Sequence, residues 1–267
     1  MKYVGSKKRI APEIAEQINS IAMLEGIQNY YEPFMGGCSV GEVVTIQNRY
    51  LSDINKYLVA LMEKAKAGLD DYRYISREEW YKIKEQLKEP GKHGYPDWLV
   101  GWALYGCGWR GNPTAYGGIY TDKATGKEVN PQEQAYNSLK AESVLLKDIT
   151  FINARYNEID IKDNSVIYCD APYRNTYYDT YGYTEKLDFE AYDEWLIEKS
   201  KNNLVLISEY QMFGKHTLDF IELKSWEFNK SIGAGHSETE NSVEKLFYVK
   251  NGWLTKKYFE KQSDFDF

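Results

Sequence analysis

Residues 29–53 read NYYEPFMGGCSVGEVVTIQNRYLSD. Residues 29–34 have the aromatic composition of a short strand, and Gly36-Gly37 turns the chain directly after it. Residues 39–47 are helix-compatible, and Arg49-Tyr50-Leu51-Ser52-Asp53 predicts a second strand ending on an acid. Strand, glycine turn, helix and strand in this order open a doubly wound α/β sheet. A glycine-rich turn lets backbone approach a ligand, and an acid closing the next strand can hold ribose hydroxyls. Asp53 follows Gly36 by about 17 positions, near the ~20 of a dinucleotide-binding unit, although the turn is not G-x-G-x-x-G.

Outward from this stretch, Ile10, Ile14, Ile18 and Ile21 form a helical stripe before it, and Tyr57, Leu58, Leu61 and Met62 form another after it. Between about residues 91 and 125 the chain changes character: Gly, Trp and Tyr crowd together and no period persists. Long irregular stretches of this kind are functional loops or small inserted modules. Asn130-Pro131 then predicts a helix start, with the helix running to about residue 146. Residues 149–152, 165–169, 204–208 and 243–249 read as strands, and residues 189–199 as a helix. The expected organisation is one catalytic α/β domain of residues 1–67 and 131–267, interrupted by an inserted target-recognition region of residues 68–130.

The 267 residues are 43% hydrophobic, enough for one sizeable core plus a small module. A net charge of -7 argues against a protein that merely coats nucleic acid. It leaves room for a DNA enzyme, since phosphate contacts need only a local basic surface such as Lys2, Lys7, Lys8 and Arg9. Cys38, Cys107 and Cys169 are too scattered for a zinc site or disulfide framework, and the three histidines show no metal-ligand spacing. With no membrane-span or signal-peptide pattern, the expectation is a cytoplasmic protein without metal or membrane partner.

Asp170-Ala171-Pro172-Tyr173 directly follows the buried strand 165–169. An adenine amino nitrogen is a poor nucleophile because its lone pair is delocalised into the ring. A carboxylate and a backbone carbonyl can accept its two hydrogens and aim the lone pair at a methyl donor. Asp170 and the carbonyl of Ala171 fit those parts, Pro172 stiffens the turn, and Tyr173 offers a ring for a base taken out of the helix. Taken alone, the tetrapeptide reads equally as a strand-ending turn with an Asp cap and a packed Tyr. Cys169 reads as a small hydrophobe and not as a nucleophile.

In order along the chain, several segments resemble the Dam-type (D12 class) DNA adenine-N6 methyltransferases. Lys2-Tyr3-Val4-Gly5-Ser6-Lys7 resembles the family's N-terminal cofactor segment, and residues 32–40 its E-P-F-x-G-x-G-S-V loop. Asp53-Ile54-Asn55 is similar to the D-I-N segment, and Asp170-Ala171-Pro172-Tyr173 to D-P-P-Y. Residues 109–118, Phe189-x-x-x-Asp193-x-x-Leu196 and Glu244-Lys245-Leu246-Phe247 resemble the glycine-rich middle, the helix after the catalytic loop and the closing E-x-L-F strand. Three departures stand out. Ala171 replaces a proline, Cys38 follows a Gly36-Gly37 pair where the family has G-x-G, and Arg155 stands near the place of an acid that contacts the cofactor's adenine.

The resemblance implies a Rossmann-like methyltransferase sheet, with S-adenosylmethionine as cofactor and double-stranded DNA as partner. It places Tyr3, Lys7, Glu32, Pro33, Phe34, Gly36, Gly37, Asp53, Ile54 and Asp170 on the cofactor, and catalysis on Asp170, Ala171, Pro172 and Tyr173. Lys8, Arg9, Arg110, Asn112 and Tyr116 are the DNA-contact candidates, with Lys224, Lys230, His236 and Lys245 as unranked additions. Ser208-Glu209-Tyr210 reads as ordinary polar residues at a strand end. An RNA adenine methyltransferase and a non-catalytic DNA-binding descendant are the alternatives.

Overall fold

The computed structural model describes residue 3 and residues 5–89, 92–174, 187–210, 220–229 and 241–249. Lys2, Val4, Lys230 and His236 lie outside the described residues. α1 (Ala11–Glu25) has a proline in its first turn, buries Ile14, Ile18 and Ile21, and ends on Gly26 at φ 67. β1 (Asn29–Glu32) and β2 (Asn48–Asp53) follow, then α2 (Lys56–Ala67), whose first amides are capped by the Asn55 side chain.

Residues 39–47 do not form the expected helix. Val40, Val43 and Val44 have helical spacing, but Gly41 and the β-branched run through Ile46 disfavour a helix. The chain instead makes consecutive turns, with Glu42 N donating to Cys38 O at 3.0 Å and Val44 N to Val40 O at 3.1 Å.

The middle of the chain is more regular than its composition predicts. α3 (Arg77–Glu85) is capped by Ser76, and α4 (Asp97–Gly101) runs into a single π-helical turn, Trp102–Gly106. Two short hairpins follow, β3 (Gly108–Trp109) with β4 (Asn112–Tyr116), and β5 (Tyr120–Thr121) with β6 (Glu128–Val129). α5 (Pro131–Glu142), capped by Asn130, leads through a 3-10 turn into β7 (Ile149–Asn153). Then come β8 (Ser165–Cys169), α6 (Phe189–Ser200), β9 (Leu204–Glu209), β10 (Phe220–Asn229) and β11 (Asn241–Val249).

The large sheet has the order β10-β11-β9-β8-β1-β2-β7. β7, β2, β1, β8 and β9 are parallel, while β11 runs antiparallel between β9 and β10. From β1 the chain builds outward through β2 and β7 on one side, and β8 and β9 build outward on the other. The junction of β1 and β8 is therefore a topological switch point, where loops leaving the carboxyl ends diverge and open a crevice. The fold is the doubly wound α/β class expected from the sequence, with β11 inserted antiparallel beside the parallel strands.

Residues 68–130 share the core of the sheet domain. Trp80, Ile83, Val100, Ala103 and Leu104 belong to the same buried cluster as Ile14, Leu51, Leu58 and Val166. A Cβ on Gly101 would fall on the Tyr57 carbonyl, so α4 and α2 meet backbone to backbone. Gln132 of α5, fully buried, makes a two-way clamp with Ile75. Its Oε1 accepts from Ile75 N at 3.0 Å, and its Nε2 donates to Ile75 O at 2.9 Å and to Gly117 O at 3.2 Å. Gln132→Ala strands these backbone groups without water and is expected to cost about 2–3 kcal/mol of stability, measured by urea unfolding. An unchanged midpoint would show that the clamp is dispensable.

Candidate active site

A cavity of about 710 Å³ opens at the β1–β8 switch point. All ten cofactor candidates and all of Asp170-Ala171-Pro172-Tyr173 line it, together with Ser6, Arg9, Ser39, Asn55, Tyr105, Tyr156, Asn157, Tyr210 and Glu244. Its volume lies within the range of small-molecule and cofactor pockets.

One end is the glycine turn after β1. Gly36 has φ 45, which suits glycine, and its amide donates to Asp53 Oδ2 at 3.1 Å. A Cβ on Gly37 would stand 2.9 Å from Tyr3 Cβ, so the N-terminal tyrosine lies directly on the turn. The segment is fixed there by Ser6 Oγ, 2.7 Å from Ser39 Oγ, and by the ring of Tyr105, 5.5 Å from that of Tyr3. The Asn55 amide in turn meets the Tyr105 hydroxyl. Cys38, where the family pattern has its second glycine, takes φ 61 and buries its side chain. That left-handed conformation costs about 1–2 kcal/mol for a residue with a Cβ. Burial pushes the Cys38 thiol well above its ordinary range, as it pushes that of Cys169 up to about 12, so neither is an activated nucleophile.

Glu32 is buried with its carboxyl against Gly41, and the Tyr30 hydroxyl donates to Oε2 at 2.8 Å. Burial raises its pKa well above the usual carboxylate range. Asp53, half-buried at the cavity wall, accepts from Gly36 N and, at 2.9 Å, from Asn55 N. Burial raises its pKa to about 6 despite these two donors. Beside it, the Asn153 amide donates to the carbonyls of Asp53 and Ile54 at 2.9 and 3.1 Å. Tyr156 stacks on Phe34 with centroids 5.6 Å apart. Arg155, near the place of the family's acid, turns its backbone amide to Glu158 and lines the cavity with Tyr156 and Asn157.

The other end is the loop after β8. Lys7, 8% exposed, places Nζ 2.9 Å from Asp170 Oδ1, 3.8 Å from Glu244 Oε1 and 3.2 Å from the Gly5 carbonyl. The Tyr173 hydroxyl reaches both Asp170 Oδ1, at 3.2 Å, and Glu244 Oε1. Lys7 Nζ lies 4.8 Å from the Tyr173 ring centroid, and the Tyr210 ring meets Tyr173 edge to face at 4.6 Å. The loop's far side is pinned by the ion pair of Arg174 with buried Asp193 and by Arg174 N donating to Glu209 at 3.1 Å. Burial raises the Glu209 pKa to about 7.

Of the DNA-contact candidates among the described residues, the structure brings only Arg9 to the cavity, its guanidinium 4.7 Å from the Phe228 ring centroid. Lys8 pairs with Glu142. Arg110 is exposed at the β3–β4 turn with φ 55. Asn112 accepts from Thr114 within its own strand, and the Tyr116 hydroxyl donates to Ile75 O at 2.7 Å. Lys224 pairs with Glu13 and Lys245 with Glu222. Sequence reasoning missed Tyr105 as a cavity residue, set Tyr210 aside as an ordinary strand-end residue, and noted Asn55 and Glu244 only as parts of the D-I-N and closing-strand patterns.

The model of the family described as D12 class N6 adenine-specific DNA methyltransferase matches residues 3–95 and 102–233. No curated protein matches the sequence. Among solved structures, the rRNA methyltransferase aviRa from Streptomyces viridochromogenes aligns at 13% identity with a TM-score of 0.36, covering 89% of this chain and 84% of that one.

The Asp53 pKa gives a pH signature. Folding raises it from 3.8 to about 6, so its contribution to stability is full below 3.8 and is lost as the pH rises through 6. Asp53→Asn is expected to remove that component from the stability–pH profile between about pH 4 and 6. Parallel profiles for the two proteins in urea titrations would refute the raised pKa.

Proposed function

The chain belongs to the D12 class N6 adenine-specific DNA methyltransferases, and on that premise we propose that it methylates a flipped-out adenine in duplex DNA at the site between Asp53 and Asp170. The observation that carries this reading is the single cavity that joins the Gly36–Asp53 turn to Asp170-Ala171-Pro172-Tyr173 across the switch point.

The donor set suits S-adenosylmethionine. On this reading Asp53 accepts from the ribose hydroxyls, and two backbone amides already orient its carboxylate. Ile54, Pro33, Phe34 and Tyr156 supply apolar walls, and the carboxylates of Asp170 and Glu244 suit a cationic sulfonium. When bound, this cofactor would supply an electrophilic methyl on its sulfonium, with the carbon–sulfur pair left on sulfur and one amino proton released to solvent.

The chain's own part is orientation. Asp170 lines the cavity with its carboxylate held at Oδ1 by Lys7 and by the Tyr173 hydroxyl. Asp170 and the Ala171 carbonyl accept the two amino hydrogens, so the lone pair leaves the ring plane and points at the methyl. The contact of Ala171 is through its backbone, and alanine keeps it where the family has proline. Tyr173 stacks on the base, which has to leave the duplex to reach so enclosed a site. Arg9 at the cavity and Arg110 on its exposed turn hold phosphates.

Asp170→Ala is expected to abolish methyl transfer while leaving the fold intact by circular dichroism; substantial residual activity would sink the assignment. Asp53→Ala should weaken S-adenosylmethionine by roughly ten- to a hundredfold in calorimetry, the loss of one charged acceptor. In the unaltered protein this affinity should fall as the pH drops through about 6, where Asp53 takes up a proton. Expression in a methylation-free host, followed by mapping of modified adenines in DNA and RNA, identifies the substrate and its sequence context. Label confined to RNA would overturn the DNA reading.

A further inference from the structure

Lys7 sets a charge problem within the site. Its ammonium is nearly buried in the wall of a cavity that, on the reading above, takes a cationic sulfonium and then a transiently cationic amine. Paired with Asp170 alone, Lys7 would cancel that carboxylate and draw electron density from the acceptor on which orientation depends. The structure supplies a second acid. Glu244 of β11, 6% exposed, lies 3.8 Å from Lys7 Nζ and shares the Tyr173 hydroxyl with Asp170.

We propose that Glu244 is a positioning residue for methyl transfer: it shares the charge of Lys7, so that Asp170 keeps its acceptor strength and the cluster presents one net negative charge to the transferring methyl. The inference rests on Asp170 being the acceptor of the amino group. Positive charge is carried by sulfur before transfer and by nitrogen during it, and a fixed negative cluster in a water-poor site favours both. The Lys7 ammonium remains useful as the group that holds the two carboxylates together.

Burial raises the Glu244 pKa, Lys7 draws it back and Asp170 pushes it further up. From the neighbouring elements, Tyr168 of β8, Tyr173 of the following loop, and Glu209 and Tyr210 at the end of β9 also feel this carboxylate. Trp226, its partner across β10, carries no titratable group. As the pH falls and Glu244 takes up a proton, the cluster passes from one net negative charge to none, and transfer slows with it.

The test compares Glu244→Gln, which keeps shape and removes charge, with Tyr173→Phe, which keeps charge and removes the shared hydroxyl. Single-turnover transfer to DNA from a methylation-free host is followed against pH. Glu244→Gln is expected to be slower by about tenfold or more, with the acid limb due to Glu244 absent, and Tyr173→Phe by only about threefold. A binding measurement independent of activity is the calorimetric affinity of cationic S-adenosylmethionine relative to neutral S-adenosylhomocysteine. That ratio should fall about fivefold in Glu244→Gln and hold in Tyr173→Phe. Should Glu244→Gln not fold, Glu244→Asp carries the test, since it is expected to keep the preference for the cation.

Wild-type rate and pH profile in Glu244→Gln would overturn the proposal. So would equal losses in both variants with the affinity ratio intact, the mark of a purely structural residue, or loss of the cation preference in Glu244→Asp. Asp170→Ala in the same assay separates the two readings. Activity retained there removes the acceptor role of Asp170 itself, whereas an inactive Asp170→Ala beside a fully active Glu244→Gln removes only the role of Glu244.

Discussion

Five parallel strands point their carboxyl ends to one edge of the sheet, and the chain leaves β1 and β8 toward opposite sides of it. The loops that follow these two strands cannot close over each other, so a crevice is a consequence of connectivity before any side chain is specified. Sequence then decides what the crevice holds. After β1 comes a turn of small residues over which Tyr3 can lie, and after β8 comes Asp170. The N-terminal segment bridges the two, tied to the first by Ser6 and Ser39 and to the second by Lys7.

This bridging concentrates charge where desolvation is costly. Glu32, Asp53, Asp170, Glu209 and Glu244 converge on one edge of the sheet, and burial raises the pKa values of four of them. Each is held by donors that are themselves fixed: a tyrosine hydroxyl for Glu32, backbone amides for Asp53 and Glu209, and Lys7 with Tyr173 for Glu244. The site is thus rich in carboxylates, although Lys7, Arg9 and Arg155 line it as well.

Much of this was legible in the sequence because it is local. Gly36, Asp53 and Asp170 sit at strand ends, and strand ends are visible as changes of period. The first helix and the strand 165–169 were equally plain. Other parts were hidden for physical reasons. β10 turns apolar residues to the main core at odd positions, Ile221 and Leu223, and then at even ones, Trp226 and Phe228, because a bulge between Glu222 and Lys224 shifts the phase. No single period exposes such a strand. Residues 39–47 had the spacing of a helix and the backbone preferences of something else. Tyr105 and Asn55 meet only through the packing of the π-helical turn against α2, a contact between residues fifty positions apart that no motif records.

The clamp of Gln132 on Ile75 and the approach of Gly101 to the Tyr57 carbonyl also bear on how this protein can diverge. A recognition insert joined by flexible linkers can be exchanged like a cassette. Residues 68–130 are instead built into the hydrophobic core of the sheet domain, and their hydrogen bonds end on helices outside those boundaries. Their orientation toward the cavity is therefore fixed, and a graft cut at residues 68 and 130 would leave the contact faces of α2 and α5 behind. Substitutions are accordingly best tolerated at exposed tips such as the turn at Arg110, where a side chain can be exchanged without disturbing a shared interior.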